Sequence, residues 1–75
     1  MSEQLRRRSV TIAGHRTSVS LEDPFWDQLK KVSAERNVSI AQVVAEVDKA
    51  RQTNLSSALR VFVLQELLKR QTSDA

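Results

Sequence analysis

The sequence predicts a small, mainly α-helical domain in which an N-terminal β segment is followed by three helices, completed by a second copy of the chain. Three observations lead there. Residues 16–21 alternate polar and apolar side chains, the rest of the chain from Asp23 onward runs at helical spacing, and the chain is short for a self-sufficient core. Seventy-five residues bury a modest fraction of their surface, and domains of this size usually lean on disulfides, a metal or a partner. The chain has no cysteine and a single histidine, His15, which removes disulfides, thiolate metal sites and a structural zinc site together. Another subunit is the aid that remains.

The β segment is Arg16-Thr17-Ser18-Val19-Ser20-Leu21, which puts Thr17, Val19 and Leu21 on one face and Arg16, Ser18 and Ser20 on the other. Ser9-Val10-Thr11-Ile12 alternates in the same way. Gly14, the only glycine, separates the two and marks a hairpin turn, a bulge or a hinge. The pattern leaves open whether residues 9–13 form a second strand or an arm.

The first helix is announced by Asp23-Pro24, an N-cap residue followed by a proline that loses nothing at the first helical position. Phe25, Leu29 and Val32 then form its buried stripe, with Trp26 at the edge of the core. Asn37, which tolerates the left-handed conformation, is the stop. The second helix opens with a capping box, Ser39 with Gln42, flanked by a hydrophobic staple of Val38 and Val43. Val43, Val44 and Val47 are its apolar face, and it ends near Arg51. Three valines are poor helix formers, so packing must hold it. Asp48 and Arg51 are placed to pair on its surface or to brace the turn that follows.

The third helix starts at Asn54, another good cap. Its apolar residues do not keep to one side: Leu55, Leu59 and Phe62 share a face, whereas Val61, Leu64 and Leu68 point nearly opposite. A helix apolar on two sides is usually buried on both. The second side is therefore assigned to another subunit.

Charge is concentrated at the front. Residues 1–20 hold Arg6, Arg7, Arg8 and Arg16 against Glu3, and beyond them basic and acidic residues balance. A basic arm on a neutral body is the pattern of a nucleic-acid or anionic-surface contact, or of a solvated tail. The expected organisation is a flexible basic arm over residues 1–8, a domain over 9–70 ending in a helix over 54–70, and a disordered tail over 71–75. The arginines lead into no long apolar run, and Val61-Phe62-Val63-Leu64 is far too short to span a bilayer. The expectation is a cytoplasmic protein with no membrane partner. No nucleophile–base pair, carboxylate dyad or glycine-rich phosphate loop is present in the sequence, so no enzymatic activity, cofactor or metal is expected.

The run Gly14-His15-Arg16-Thr17-Ser18-Val19-Ser20-Leu21-Glu22, with Phe25-Trp26-Asp27 and Leu29, resembles a family of short bacterial ribbon-helix-helix proteins. So does Asp48 to Arg51 leading into Asn54-Leu55-Ser56-Ser57-Ala58-Leu59-Arg60-Val61-Phe62-Val63-Leu64. The resemblance implies an Arc-like and methionine-repressor-like regulator, a homodimer with one strand from each subunit in a two-stranded antiparallel ribbon above interlocked helices. Its dimer core would be Val19, Leu21, Phe25, Leu29, Val43, Val44, Val47, Leu59 and Phe62. By the family pattern Arg16, Ser18 and Ser20 read bases in the major groove of double-stranded DNA, which is wide enough for such a ribbon. Arg6, Arg7, Arg8 and His15 would contact phosphates, as would Val38, Ser39 and Ile40 at the positive end of the second helix. The capping box competes for one of those N–H donors. The expected role is a repressor or autoregulator. The rival is an antitoxin-like interaction module using the third helix, which is otherwise free for dimer stability or tetramer formation, with weak nucleic-acid binding through the arm.

Overall fold

In the computed structural model, which describes residues 5–73, a β-hairpin is followed by three helices. The strands are β1, Leu5–Ile12, and β2, His15–Glu22. They pair antiparallel in a register that runs from Leu5 opposite Glu22 to Ile12 opposite His15. The connection is two residues long, and both take positive φ, 51° at Ala13 and 81° at Gly14. That is the mirror-image turn whose twist matches the right-handed twist of the strands, and it needs a left-handed residue at each central position. Gly14 adopts that conformation freely.

The hairpin changes two expectations. The ribbon is two-stranded and antiparallel, but one chain supplies both strands. Residues 5–8, assigned above to a flexible arm, are the first half of β1, because pairing with residues 19–22 gives their backbone a ladder to join.

Helix α1 spans Asp23–Arg36. Its N-cap is Glu22, without a side-chain capping bond, and not Asp23. The Asp23 carboxylate turns instead to Arg6 and Arg8 of β1. At the other end Asn37 is left-handed, as expected, and the N–H groups of Asn37 and Val38 return to Ala34 and Ser33 carbonyls at 3.2 and 3.0 Å.

Helix α2 spans Ile40–Ala50 and has the complete capping box: Gln42 N–H donates to Ser39 Oγ at 3.1 Å and Ser39 N–H donates to Gln42 Oε1 at 2.9 Å. Beyond it Arg51 reaches both Asp48, at 2.7 Å, and the Thr53 carbonyl, at 2.9 Å, so the pair also braces the turn. Helix α3 spans Leu55–Ser73, three residues past the expected end. Asn54 caps it by accepting from Ser57 N–H at 2.9 Å.

The core lies between the inner face of the hairpin and the helices. Val10, Val19 and Leu21 come from the ribbon, Leu29 and Val32 from α1, Val43 and Val44 from α2, and Leu59 and Val63 from α3. Of the nine side chains expected to meet between subunits, Val19, Leu21, Leu29, Val43, Val44 and Leu59 are already buried within one chain, and Phe25, Val47 and Phe62 are half-buried. The physical reason is β1: its Val10 and Ile12 help the ribbon cover the helices without a second chain's strand. What stays uncovered is the far side of α3, where Val61, Leu64 and Leu68 are each about half exposed. The division of that helix into two apolar sides is as expected: Leu55, Leu59 and Phe62 pack on the core and Val61, Leu64 and Leu68 face away from it. Among the described residues no helix is long and apolar enough to cross a membrane.

Candidate nucleic-acid interface

Residues directly opposite one another in an antiparallel pair project to the same face. The register therefore puts Arg7, Ser9 and Thr11 of β1 beside Ser20, Ser18 and Arg16 of β2, all on the face turned away from the helices. Arg7, Ser9, Thr11, Arg16 and Ser18 are exposed, and Ser20 is half-buried. Ser20 lies closest to α3, and its N–H, which points away from β1, donates to Ser56 Oγ at 3.2 Å. The outer face thus carries two guanidinium groups and four hydroxyls, with Leu5 and Glu22 at its end, on a ribbon two strands wide.

Alternation splits the arginine triplet. Arg6 and Arg8 fall on the inner side, where Arg6 Nε lies 3.4 Å from Asp23 Oδ1 and Arg8 is hydrogen-bonded to the same oxygen. Arg8 also stacks on Trp26, its guanidinium carbon 4.8 Å from the ring centroid, and its Nε is buried with no hydrogen-bond partner among the described residues. Arg8 is a packed cation shared between ribbon and helix. Arg7 alone of the three faces outward.

The pairing of the arginines marks the site. Arg6, Arg8, Arg36, Arg51, Arg60 and Arg70 each have a carboxylate partner. Arg7 and Arg16 are the two with no ion pair or hydrogen bond among the described residues, and both stand on the outer ribbon face. At the end of that face Glu22 is held by Arg60, at 3.1 and 3.5 Å. A hydrogen bond with its own backbone, and then Arg60, keep the Glu22 carboxyl below the usual carboxylate range. Among the described residues of that face Glu22 is the one acidic group, and its charge is paired by Arg60.

The other expected phosphate contacts are less open. His15 is exposed at the turn. The N–H groups of Val38 and Ser39 are taken by the α1 terminus and by Gln42, which leaves the first-turn donors of Ile40 and Ala41 without a partner among the described residues at the head of α2. Ser9 and Thr11 were missed as site residues. Their alternation was visible, but only the pairing of β1 with β2 says which face they share.

The geometry is a two-stranded ribbon with a cationic, hydroxyl-bearing outer face, backed by helices that begin at Asp23 and Ile40. No curated protein and no solved structure matches the chain. A family model described as a ribbon-helix-helix domain matches residues 5–67, which takes in the hairpin, α1, α2 and most of α3. The chain belongs to the ribbon-helix-helix domain family.

Proposed function

We propose that this protein is a DNA-binding transcriptional regulator, a repressor or autoregulator that sets the outer face of its ribbon into the major groove. Members of the family are typically DNA-binding regulators or antitoxins and typically dimerise. The observation that carries the reading is that the two arginines without a carboxylate partner among the described residues both lie on the outer ribbon face. An unpaired guanidinium can grip the two acceptors of a guanine, and the serine hydroxyls beside it can donate or accept. Two strands about 4.8 Å apart fit a groove about 12 Å wide. Arg16 and Ser18 read base edges, with Ser20 at the margin. Arg7 stands on the same face as these residues, and His15 and the Ile40 N–H reach toward phosphates.

The exposed stripe Val61, Leu64 and Leu68 on α3 supports a homodimer, since an apolar row of this length on so small a chain is best buried by its own symmetric copy. The same stripe supports the second reading, an antitoxin-like module whose α3 holds a different protein. A monomer at micromolar concentration in sedimentation would favour that second reading.

Mobility shifts at two salt concentrations, on a specific duplex and on random DNA, test the main one. Arg16→Ala should weaken binding to the specific duplex by roughly 1–3 kcal/mol while hardly changing the random-DNA baseline. Unchanged affinity for the specific duplex would sink the groove reading.

A further inference from the structure

The two strands of the hairpin carry one pattern twice. Arg7-Arg8-Ser9-Val10-Thr11-Ile12 in β1 and Arg16-Thr17-Ser18-Val19-Ser20-Leu21 in β2 agree in Arg, Ser and Val at the first, third and fourth places. The fifth place is a hydroxyl and the sixth a branched aliphatic in both. Because the strands run antiparallel with Ser9 opposite Ser18, the two copies are related by a local two-fold axis through that pair, normal to the sheet. The axis carries Arg7 onto Arg16, Ser9 onto Ser18 and Thr11 onto Ser20. On the inner face it carries Val10 onto Val19 and Ile12 onto Leu21. It fails at Arg8 and Thr17, where Arg8 meets Asp23 and Trp26 of α1.

A single chain thus presents a nearly two-fold surface, and B-DNA has two-fold axes of its own at every base pair and every step. From this, and resting on the reading that the outer ribbon face enters the groove, we propose that one hairpin recognises a short inverted repeat by itself. Arg7 and Arg16 hold guanines on opposite DNA strands. Their cross-strand pairs, Arg7 with Ser20 and Arg16 with Thr11, lie four residues apart along the ribbon, or about 13 Å at roughly 3.3 Å per residue. That spacing equals about four base steps at roughly 3.4 Å each. The site is therefore about five base pairs long with a guanine at each end. Ser9 and Ser18 stand over its centre, where an inverted repeat of odd length has one pair that breaks the symmetry. A hydroxyl that both donates and accepts tolerates either orientation of that pair.

Arg7 is a specificity determinant equivalent to Arg16 in this arrangement, and not a general phosphate contact. The assignment is tested by selecting sites for the intact protein from a random duplex pool, then repeating the selection with Arg7→Ala, Arg7→Lys, Arg16→Ala and Lys31→Ala. Circular dichroism checks each variant's fold. The parent should select guanines on opposite strands about four steps apart. Arg7→Ala should lose the preference at one end, and Arg16→Ala at the other, each weakening binding roughly 5- to 150-fold. Arg7→Lys should lose nearly as much, because an ammonium cannot make the two-point contact. Lys31→Ala, which removes the same charge from the exposed side of α1, should select the parental site.

A selected site with guanine at one end only, lost with Arg16 and indifferent to Arg7, would overturn the two-fold assignment and leave the DNA-binding reading standing. So would Arg7→Lys with parental affinity and site. Failure of the parent to select any duplex sequence would remove the DNA-binding reading itself, and the two-fold assignment with it.

Discussion

The two faces of the ribbon are built from neighbouring residues and do opposite things. The inner face buries Val10, Val19 and Leu21 and ties its two arginines to Asp23. The outer face, one residue out of step, holds two arginines with no carboxylate partner among the described residues and a row of hydroxyls. Composition is no guide to this division, since Arg6, Arg7 and Arg8 are identical and adjacent. Parity decides it. A side chain on the inner face is in reach of α1, and the acidic residue at the start of that helix claims what it meets. The lesson is that a basic run is not one functional unit: here its middle member is available to a ligand and its flanking members belong to the fold.

Changes on the inner face should act on stability, and the largest effect should come from its most deeply buried residue. Leu21 is completely buried, and Leu21→Ala should cost about 2–5 kcal/mol through lost transfer energy and the cavity left behind. Urea denaturation followed by circular dichroism reads this directly. A loss below about 1 kcal/mol would mean that the ribbon does not rest on the helices as described.

A smaller effect is expected at the junction between the faces. Asp23→Ala leaves Arg8 half-buried against Trp26 with its charge uncompensated, and should destabilise by about 1–3 kcal/mol. If Arg8 is then released toward solvent, binding to random DNA should rise at low salt even as the fold weakens. A variant as stable as the parent would show that the Asp23 contacts contribute nothing, and the contrast between the faces would rest on geometry alone.

The smallest effect concerns acid. The Glu22 carboxyl titrates below its unfolded value, so the folded state binds its proton less readily than the unfolded chain does. Its contribution to stability is present above the unfolded pKa and fades as pH falls through the folded one. Parent and Glu22→Gln should therefore differ in stability near neutrality and converge in acid, in denaturation curves taken across that range. A constant difference at every pH would show that the Arg60 pairing is not what Glu22 contributes.

Local chemistry settled a large part of this protein in advance. The alternation of residues 16–21, the capping box at Ser39 and Gln42, the left-handed stop at Asn37, the cap at Asn54 and the two-sided third helix are each written within a few residues. A backbone takes such instructions from its neighbours. The outward placement of Arg16 and Ser18 followed from the same alternation.

Other features waited on contacts between residues far apart in the chain. Whether Gly14 closed a hairpin or hinged an arm depended on residues 5–12 finding 15–22 as a partner. The fate of Arg8 depended on Asp23, fifteen positions away, and the same contact took Asp23 from its expected role as a helix cap. The core expected between two chains closed inside one because β1 lends the ribbon its second strand. Pairing, burial and neutralisation are properties of groups brought together in space, and a one-dimensional pattern shows which groups are capable of them without saying which will meet.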